Sequence, residues 1–263
     1  MSITTSVSII IPTYNEARRL PSLFGSLEAF IGSHPEVEEI VIVDDGSSDE
    51  TLRIVRHQTP ERIPLKLVSY FPNAGKGYAI RRGILESTSS VVLISDADLS
   101  TPLEEIETLA PYLERFDIVI GSRAIDPSKV RKRQPWYRQR MGKTFNLLMR
   151  RITSLPFRDT QCGFKLFRGP VAREIFRDGI VDRFAFDVEI LVLALHRGYS
   201  VCEVPVLWFN AEGSRVSIVR DSVRMLLDTI RVRLRLGAPP TGSAVLADRP
   251  ARPDRDDQTE HER

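Results

Sequence analysis

Ser8-Ile9-Ile10-Ile11-Pro12-Thr13-Tyr14-Asn15-Glu16 decides how the rest of the chain is read. Two later stretches have the same form: Ile40-Val41-Ile42-Val43-Asp44-Asp45-Gly46-Ser47 and Val91-Val92-Leu93-Ile94-Ser95-Asp96-Ala97-Asp98. Each is a short β-branched run, apolar on both faces, that passes directly into a polar cluster. Apolarity on both faces marks a strand covered on both sides, as in a parallel sheet. Ile118 to Ile120, followed by Gly121-Ser122-Arg123, repeats the pattern, and Leu65 to Ser69 supplies a further strand.

The segments between these runs have helical patterning. Leu20, Leu23, Leu27 and Ile31 form one stripe over 17–31, Gly75 to Leu85 reads as a helix, and Pro102 suits the first turn of a helix reaching Leu113. Strands alternating with helices of about 10 to 15 residues predict an α/β fold, a mostly parallel mixed sheet flanked by helices. In such a sheet ligands sit at the carboxyl ends of the strands. The four polar clusters that follow strands are therefore expected to converge on one site.

The second half reads differently. Residues 134–151 predict a basic amphipathic helix, 163–167 a short strand, 184–196 a helix with Val188, Leu191, Val192 and Leu195 as its apolar stripe, 201–209 an edge strand containing Pro205, and 217–236 a long arginine-rich helix. Residues 1–236 are expected to form one domain, divided at about residue 125 into a nucleotide-type half, 1–125, and an acceptor-type half, 126–236. Residues 237–263, rich in Pro, Asp and Arg and without an aromatic, are expected to be a disordered tail.

The 263 residues are 42% hydrophobic and 27% charged, which suits a soluble globular protein with a substantial core. Lys and Arg number 37 against 35 Asp and Glu, so the net charge of +2 hides a patchy distribution. The segment from Lys129 to Arg151 carries nine cations and no acid. No zinc-finger spacing, RNA-binding signature or aromatic-basic interleaving accompanies it, so nucleic acid is not the expected partner. Two cysteines, Cys162 and Cys202, make neither a disulfide framework nor a zinc site and point to a reducing compartment. The first residues lack a basic segment ahead of their apolar run, and no stretch reaches the roughly 18–20 apolar residues of a membrane span. A cytoplasmic location is expected, with any membrane contact peripheral, through the helix at 217–236.

Asp96 and Asp98, two apart at a strand end, suit one hard divalent cation, Mg2+ or Mn2+, that also takes phosphate oxygens, or serve only as a strand end and helix cap. Asp44 and Asp45 offer carboxylates to a base or ribose, or act with Ser47 and Asp49 only as helix caps. Asn73-Ala74-Gly75-Lys76-Gly77 permits close approach to a ligand, with Lys76 toward a phosphate or toward solvent. Arg123 and the basic run beyond it carry planar forks suited to phosphate.

Together, Ser8 to Glu16, Val43 to Asp49, Asn73 to Gly77 and Asp96-Ala97-Asp98 resemble the inverting family 2 glycosyltransferases of the GT-A fold. Gly121-Ser122-Arg123, Asp159 to Lys165, Phe186 to Glu189 and Val204-Pro205-Val206 are similar to the dolichyl- and polyprenyl-phosphate glucosyltransferase and mannosyltransferase subgroup. The QxxRW motif of processive synthases is absent from the sequence. The resemblance implies that Pro12, Tyr14, Glu16, Asp44 and Asp45 hold the nucleotide, with Lys76 and Gly77 nearby. It implies that Asp96-Ala97-Asp98 meets the donor diphosphate, Asp98 and Asp96 holding the metal. Arg123 with one or more of Arg133, Arg138 and Arg140 would meet the acceptor phosphate, and Gln161 and Asp187 would lie beside the transferred sugar. The implied activity is that of a metal-dependent hexosyltransferase moving glucose from UDP-glucose to a polyprenyl phosphate. The alternatives are GDP-mannose as donor, a hydroxyl acceptor with Asp187 as base, and a nucleotide-sugar-binding scaffold without catalysis.

Overall fold

A computed structural model describes residues 6–132, 136–210, 218–240 and 244–246. Its main sheet is built from β1 (Val7–Thr13), β2 (Val37–Asp45), β3 (Leu65–Tyr70), β4 (Val91–Ile94), β5 (Ile118–Ser122), β7 (Lys165–Arg168), β8 (Val201–Pro205) and β10 (Ala244–Leu246). Their order is β10-β8-β5-β7-β4-β1-β2-β3. Every pairing is parallel except those of β7, which runs antiparallel to β4 and β5. A two-stranded ribbon of β6 (Val130–Lys132) and β9 (Trp208–Phe209) stands apart.

The β-branched runs are buried as their composition requires: Ile9, Ile10, Ile11, Val41, Ile42, Val43, Val92 and Leu93 have no exposed surface. On one face the sheet packs against α1 (Leu20–Ser33), through Leu20, Leu23, Phe24, Leu27 and Phe30. On the other it packs against α3 (Lys76–Glu86), α6 (Gly169–Asp178) and α7 (Phe186–His196). α2 (Thr51–Gln58), α4 (Glu105–Leu109), α5 (Trp136–Thr153) and α8 (Ile218–Leu236) complete the helices.

Four expectations change. The helix expected to reach Leu113 stays α-helical only over Glu105–Leu109 and tightens to a 3-10 turn over Ala110–Glu114. Pro111 cannot donate a backbone hydrogen bond there. α7 has no single apolar stripe, because Phe186 through Leu195 are all buried, Asp187 and Glu189 included. β8 is not an edge strand: it lies between β5 and β10, and Pro205 is harmless because it ends the strand. Ala244–Leu246, expected to lie in the disordered tail, pairs with Val201–Glu203.

Parallel pairing brings the ends of β1, β2, β4 and β5 to one edge. β7 starts at that same edge, with Lys165 opposite both Ile94 and Ile120. Its reversed direction is what delivers the 159–164 loop to the strand ends.

Candidate active site

A cleft of about 730 Å³ opens at this edge. Pro12, Tyr14, Glu16, Asp45, Lys76, Asp96, Ala97, Asp98, Arg123 and Gln161 all line it, so ten of the residues singled out from sequence converge.

The turn after β1 is pinned rather than loose. Asn15 adopts a positive φ of 57° and its Oδ1 accepts from the backbone N–H groups of Ser48 (2.8 Å) and Asp49 (3.1 Å). Its own N–H donates to Ser47 Oγ, and that of Glu16 donates to Thr51 Oγ1 at 2.7 Å. Tyr14 and Glu16 are thereby presented to the cleft from a fixed backbone.

Asp45 ends β2 and gathers the 73–75 loop. Its carboxylate accepts from Tyr70 OH (2.9 Å), Asn73 Nδ2 (2.7 Å), Ala74 N (2.7 Å) and Gly75 N (2.9 Å). Burial and the neighbouring Asp45 push the Tyr70 phenol up, so it stays a donor. This use of Asp45 as an anchor was not visible in the sequence, which suggested a ligand contact or a cap.

Asp44, Gly77 and Asp187 fall outside the cleft lining. Asp44 is buried, desolvation raises its carboxyl pKa, and its Oδ1 has no hydrogen-bond partner among the described residues. Gly77 is a packing position. A Cβ there would lie 2.5 Å from the Val181 carbonyl oxygen and 2.7 Å from Phe186 Cβ, so only glycine lets α3 sit against α7. Asp187 is buried and its Oδ1 accepts from Lys165 Nζ at 2.5 Å. Burial raises its carboxyl pKa against the pull of Lys165. Arg133 lies outside the described residues, as do the side chains of Arg138 and Arg140.

Asp96 follows β4 and pairs with Lys76 Nζ at 2.5 Å. Burial would raise the Asp96 carboxyl, but Lys76 outweighs it and holds the carboxyl below its ordinary value. The 159–164 loop presses directly on this group: a Cβ on Gly163 would fall 2.3 Å from Asp96 Oδ2. Asp98 Oδ1 accepts one backbone hydrogen bond, from Ser100 N at 3.0 Å. Between them Leu99 has φ 47°, an unfavourable conformation for a branched residue. Among the described residues no group of three or more His, Cys, Asp or Glu gathers to hold a metal. Two carboxylates lining one cleft nevertheless fit Mg2+ or Mn2+, hard cations that complete their shell with phosphate oxygens and water.

Arg123 is held on the other side. Its Nε donates to Asp159 Oδ2 (2.7 Å), its Nη2 to Oδ1 (2.8 Å) and its backbone N to Oδ2 (3.0 Å). The guanidinium lies 5.7 Å from the centre of the Trp208 ring. Asp159 is itself fixed by Glu203, a fully buried carboxylate that accepts from the Arg158 and Asp159 backbone N–H groups at 2.8 and 2.7 Å. Gln161 Nε2 is buried with no hydrogen-bond partner among the described residues. Asp159, Arg183 and Arg224 belong to the site although the sequence alone assigns none of them a role in it. Nothing in their local pattern separates them from solvated charge.

Burial alone would raise the Asp159 carboxyl; Arg123 outweighs it and holds the carboxyl below its ordinary 3.8. The folded state thus gives up this proton at lower pH than the unfolded chain. The stabilisation is present above about pH 4 and is lost as the pH falls through the lowered folded value. Asp159→Asn is expected to flatten the acid limb of stability, read as urea midpoints between about pH 5 and 3. An unchanged slope would contradict the pairing.

A family model described as Glycosyl transferase family 2 matches residues 8–176. The chain belongs to that family. As a family 2 glycosyltransferase it is 36% identical over 244 residues to a dolichyl-phosphate beta-glucosyltransferase of Dictyostelium discoideum, covering 87% of this chain and 74% of that protein. It is 31% identical over 246 residues to the human dolichyl-phosphate beta-glucosyltransferase, covering 88% of this chain and 76% of that one. Among solved structures, glucosyl-3-phosphoglycerate synthase of Mycobacterium tuberculosis, in complex with Mn2+, UDP-glucose and phosphoglyceric acid, superposes with a TM-score of 0.64 at 18% identity, covering 91% of this chain and 82% of that chain. That likeness establishes the GT-A fold: a mixed, mostly parallel sheet flanked by helices.

Proposed function

We propose that this glycosyltransferase moves glucose from UDP-glucose to the phosphate of a polyprenyl phosphate, with inversion at the anomeric carbon. The observation that carries the reading is the fixed Arg123 fork. Asp159 engages Nε and one N–H of Nη2, and Nη1 has no protein acceptor among the described residues, so a cation edge remains for a phosphate in the cleft. The named relatives at 36% and 31% identity, both dolichyl-phosphate beta-glucosyltransferases, support the same donor sugar and acceptor class.

A phosphomonoester has its second pKa near 6 and is largely dianionic at neutral pH. It attacks without a general base, which agrees with Asp187 being buried and paired with Lys165. The protein's tasks are to hold two phosphate-bearing substrates against their repulsion and to fix the line of attack. Tyr14, Glu16 and the Asp45-anchored loop shape the donor side; Arg123 positions the acceptor. Asp98 with Asp96 would hold Mg2+ or Mn2+, which would supply charge stabilisation to the departing diphosphate. Release of UDP only when UDP-glucose and a polyprenyl phosphate are both present, with GDP-mannose inactive, is the expected result. Release independent of the lipid phosphate would overturn the reading.

The exposed face of α8 supports a peripheral membrane location as part of this reading. No helix among the described residues is long and apolar enough to cross a membrane. Yet Val223, Leu227, Ile230 and Leu234, at helical spacing, are all exposed on α8, while Thr229 and Val232 face the body. Exposed Leu147 and Leu148 lie on α5, which packs on α8. An apolar stripe flanked by arginines suits an anionic bilayer surface. The protein should pellet with vesicles containing phosphatidylglycerol, and Leu227→Asp with Leu234→Asp should weaken this about tenfold or more. Equal recovery with and without vesicles would count against it.

A further inference from the structure

The cations of the cleft fall into two sets. Arg19 pairs with Glu16, Lys76 with Asp96 and Arg123 with Asp159. Arg183 and Arg224 also line the cleft, yet neither meets a carboxylate or a hydrogen-bond acceptor among the described residues. They come from different elements: Arg183 from the segment before α7, Arg224 from α8.

Neither is loosely placed. Asp182 O accepts from Tyr78 N at 2.9 Å and Arg183 O from Phe186 N at 3.2 Å, which ties the segment to α3 and α7. The Arg183 stem lies against Gly75, with Cγ 3.0 Å from where a Cβ would stand. Arg224 is half-buried on α8. Asp221 lines the same cleft, but neither guanidinium has an ion pair with a carboxylate among the described residues, and two such groups at one cavity suit a multiply charged anion.

We infer that Arg183 and Arg224 form an anion subsite for the phosphomonoester of the acceptor, working beside Arg123. The inference rests on the proposed transfer to a lipid phosphate and specifies which side chains take its head group. The choice of the acceptor over the donor diphosphate rests on Arg224, because Arg183 lies against Gly75 of the donor-side loop. Both arginines come from the second half of the chain, and Val223, next to Arg224, begins the exposed apolar stripe of α8. A head group at Arg224 leaves its hydrocarbon chain directed along Val223 and Leu227. The subsite also separates a phosphate acceptor from a neutral hydroxyl acceptor, for which two unpaired cations have no use.

The test uses the full chain with UDP-glucose, and farnesyl phosphate in detergent as the acceptor probe. Arg183→Gln, Arg224→Gln and the double variant are compared with wild type, and Arg53→Gln on the exposed face of α2 is the control. Each single variant should raise the farnesyl phosphate KM roughly 10-fold or more, since a charge-assisted hydrogen bond is lost. UDP-glucose affinity, measured by calorimetry without acceptor, should stay within about twofold of wild type. Weakened UDP-glucose binding with unchanged acceptor KM would place the arginines on the donor diphosphate and overturn the inference. Unchanged values for both substrates would make them solvated charges and overturn it as well. Calorimetric binding of farnesyl phosphate alone separates the two claims. Binding lost in the double variant, in a protein that shows no transfer, would keep the subsite and sink the proposed reaction; no binding by wild type would sink the subsite.

Discussion

Asp98→Asn is expected to lower UDP release from UDP-glucose and polyprenyl phosphate by about 10²–10³-fold, the usual cost of removing one group that stabilises developing charge. The substitution is chosen to isolate charge. Asn retains an acceptor for the Ser100 N–H, which Asp98 takes at 3.0 Å, so the turn through Leu99 is kept. Asp98 has no ion pair among the described residues, unlike Asp96, whose carboxylate is shared with Lys76. Stability should therefore change by no more than about 0.5 kcal/mol, the range for substitutions that break no buried interaction. Asp96→Asn is the contrasting variant, because it also releases Lys76. Full activity in Asp98→Asn, with the fold intact, would remove the carboxylate pair from the account of the diphosphate.

Lys165→Met carries the largest expected loss of stability. Lys165 is fully buried at the start of β7 and donates to Asp187 Oδ1 and to the Cys162 carbonyl. Removing it leaves a buried carboxylate without its cation, a loss of about 3–5 kcal/mol when one partner of a buried pair is deleted. Replacing both partners, as in Lys165→Met with Asp187→Leu, is expected to recover most of that. Urea midpoints read the difference directly. A further variant, Asp187→Asn, separates two roles for Asp187. A general base would lose activity in Asp187→Asn while stability stayed at wild type; a structural partner loses stability. The burial of Asp187 and its absence from the cleft lining favour the second.

The parts of the fold legible in the sequence were those with a local physical cause. β-Branched runs on both faces specify buried strands, and β1, β2, β4 and β5 lie where the runs of isoleucine and valine put them. Polar residues at their ends meet because parallel strands share one edge. What the sequence concealed depended on partners distant along the chain. The antiparallel direction of β7 has no signature in Lys165–Arg168, yet it is what carries Asp159, Gln161 and Gly163 to Arg123 and Asp96. Asp45 and Asp44 are adjacent and look alike. Both are buried, but strand pleating turns Asp45 toward Asn73, Ala74 and Gly75 at the cleft and Asp44 away from its lining. Gly77 reads as a ligand-facing glycine by its neighbours and is a helix-packing glycine by its contacts.

The central claim is the transfer of glucose to a lipid phosphate with inversion. It is tested most directly by isolating the product formed from UDP-glucose, undecaprenyl phosphate and Mg2+ or Mn2+, and determining its mass and anomeric configuration by mass spectrometry and NMR. The expected product is a polyprenyl phosphate carrying one hexose in β linkage, absent when the lipid phosphate is replaced by the corresponding alcohol. A hexose linked α, or hexose found only on a hydroxyl acceptor, would contradict it.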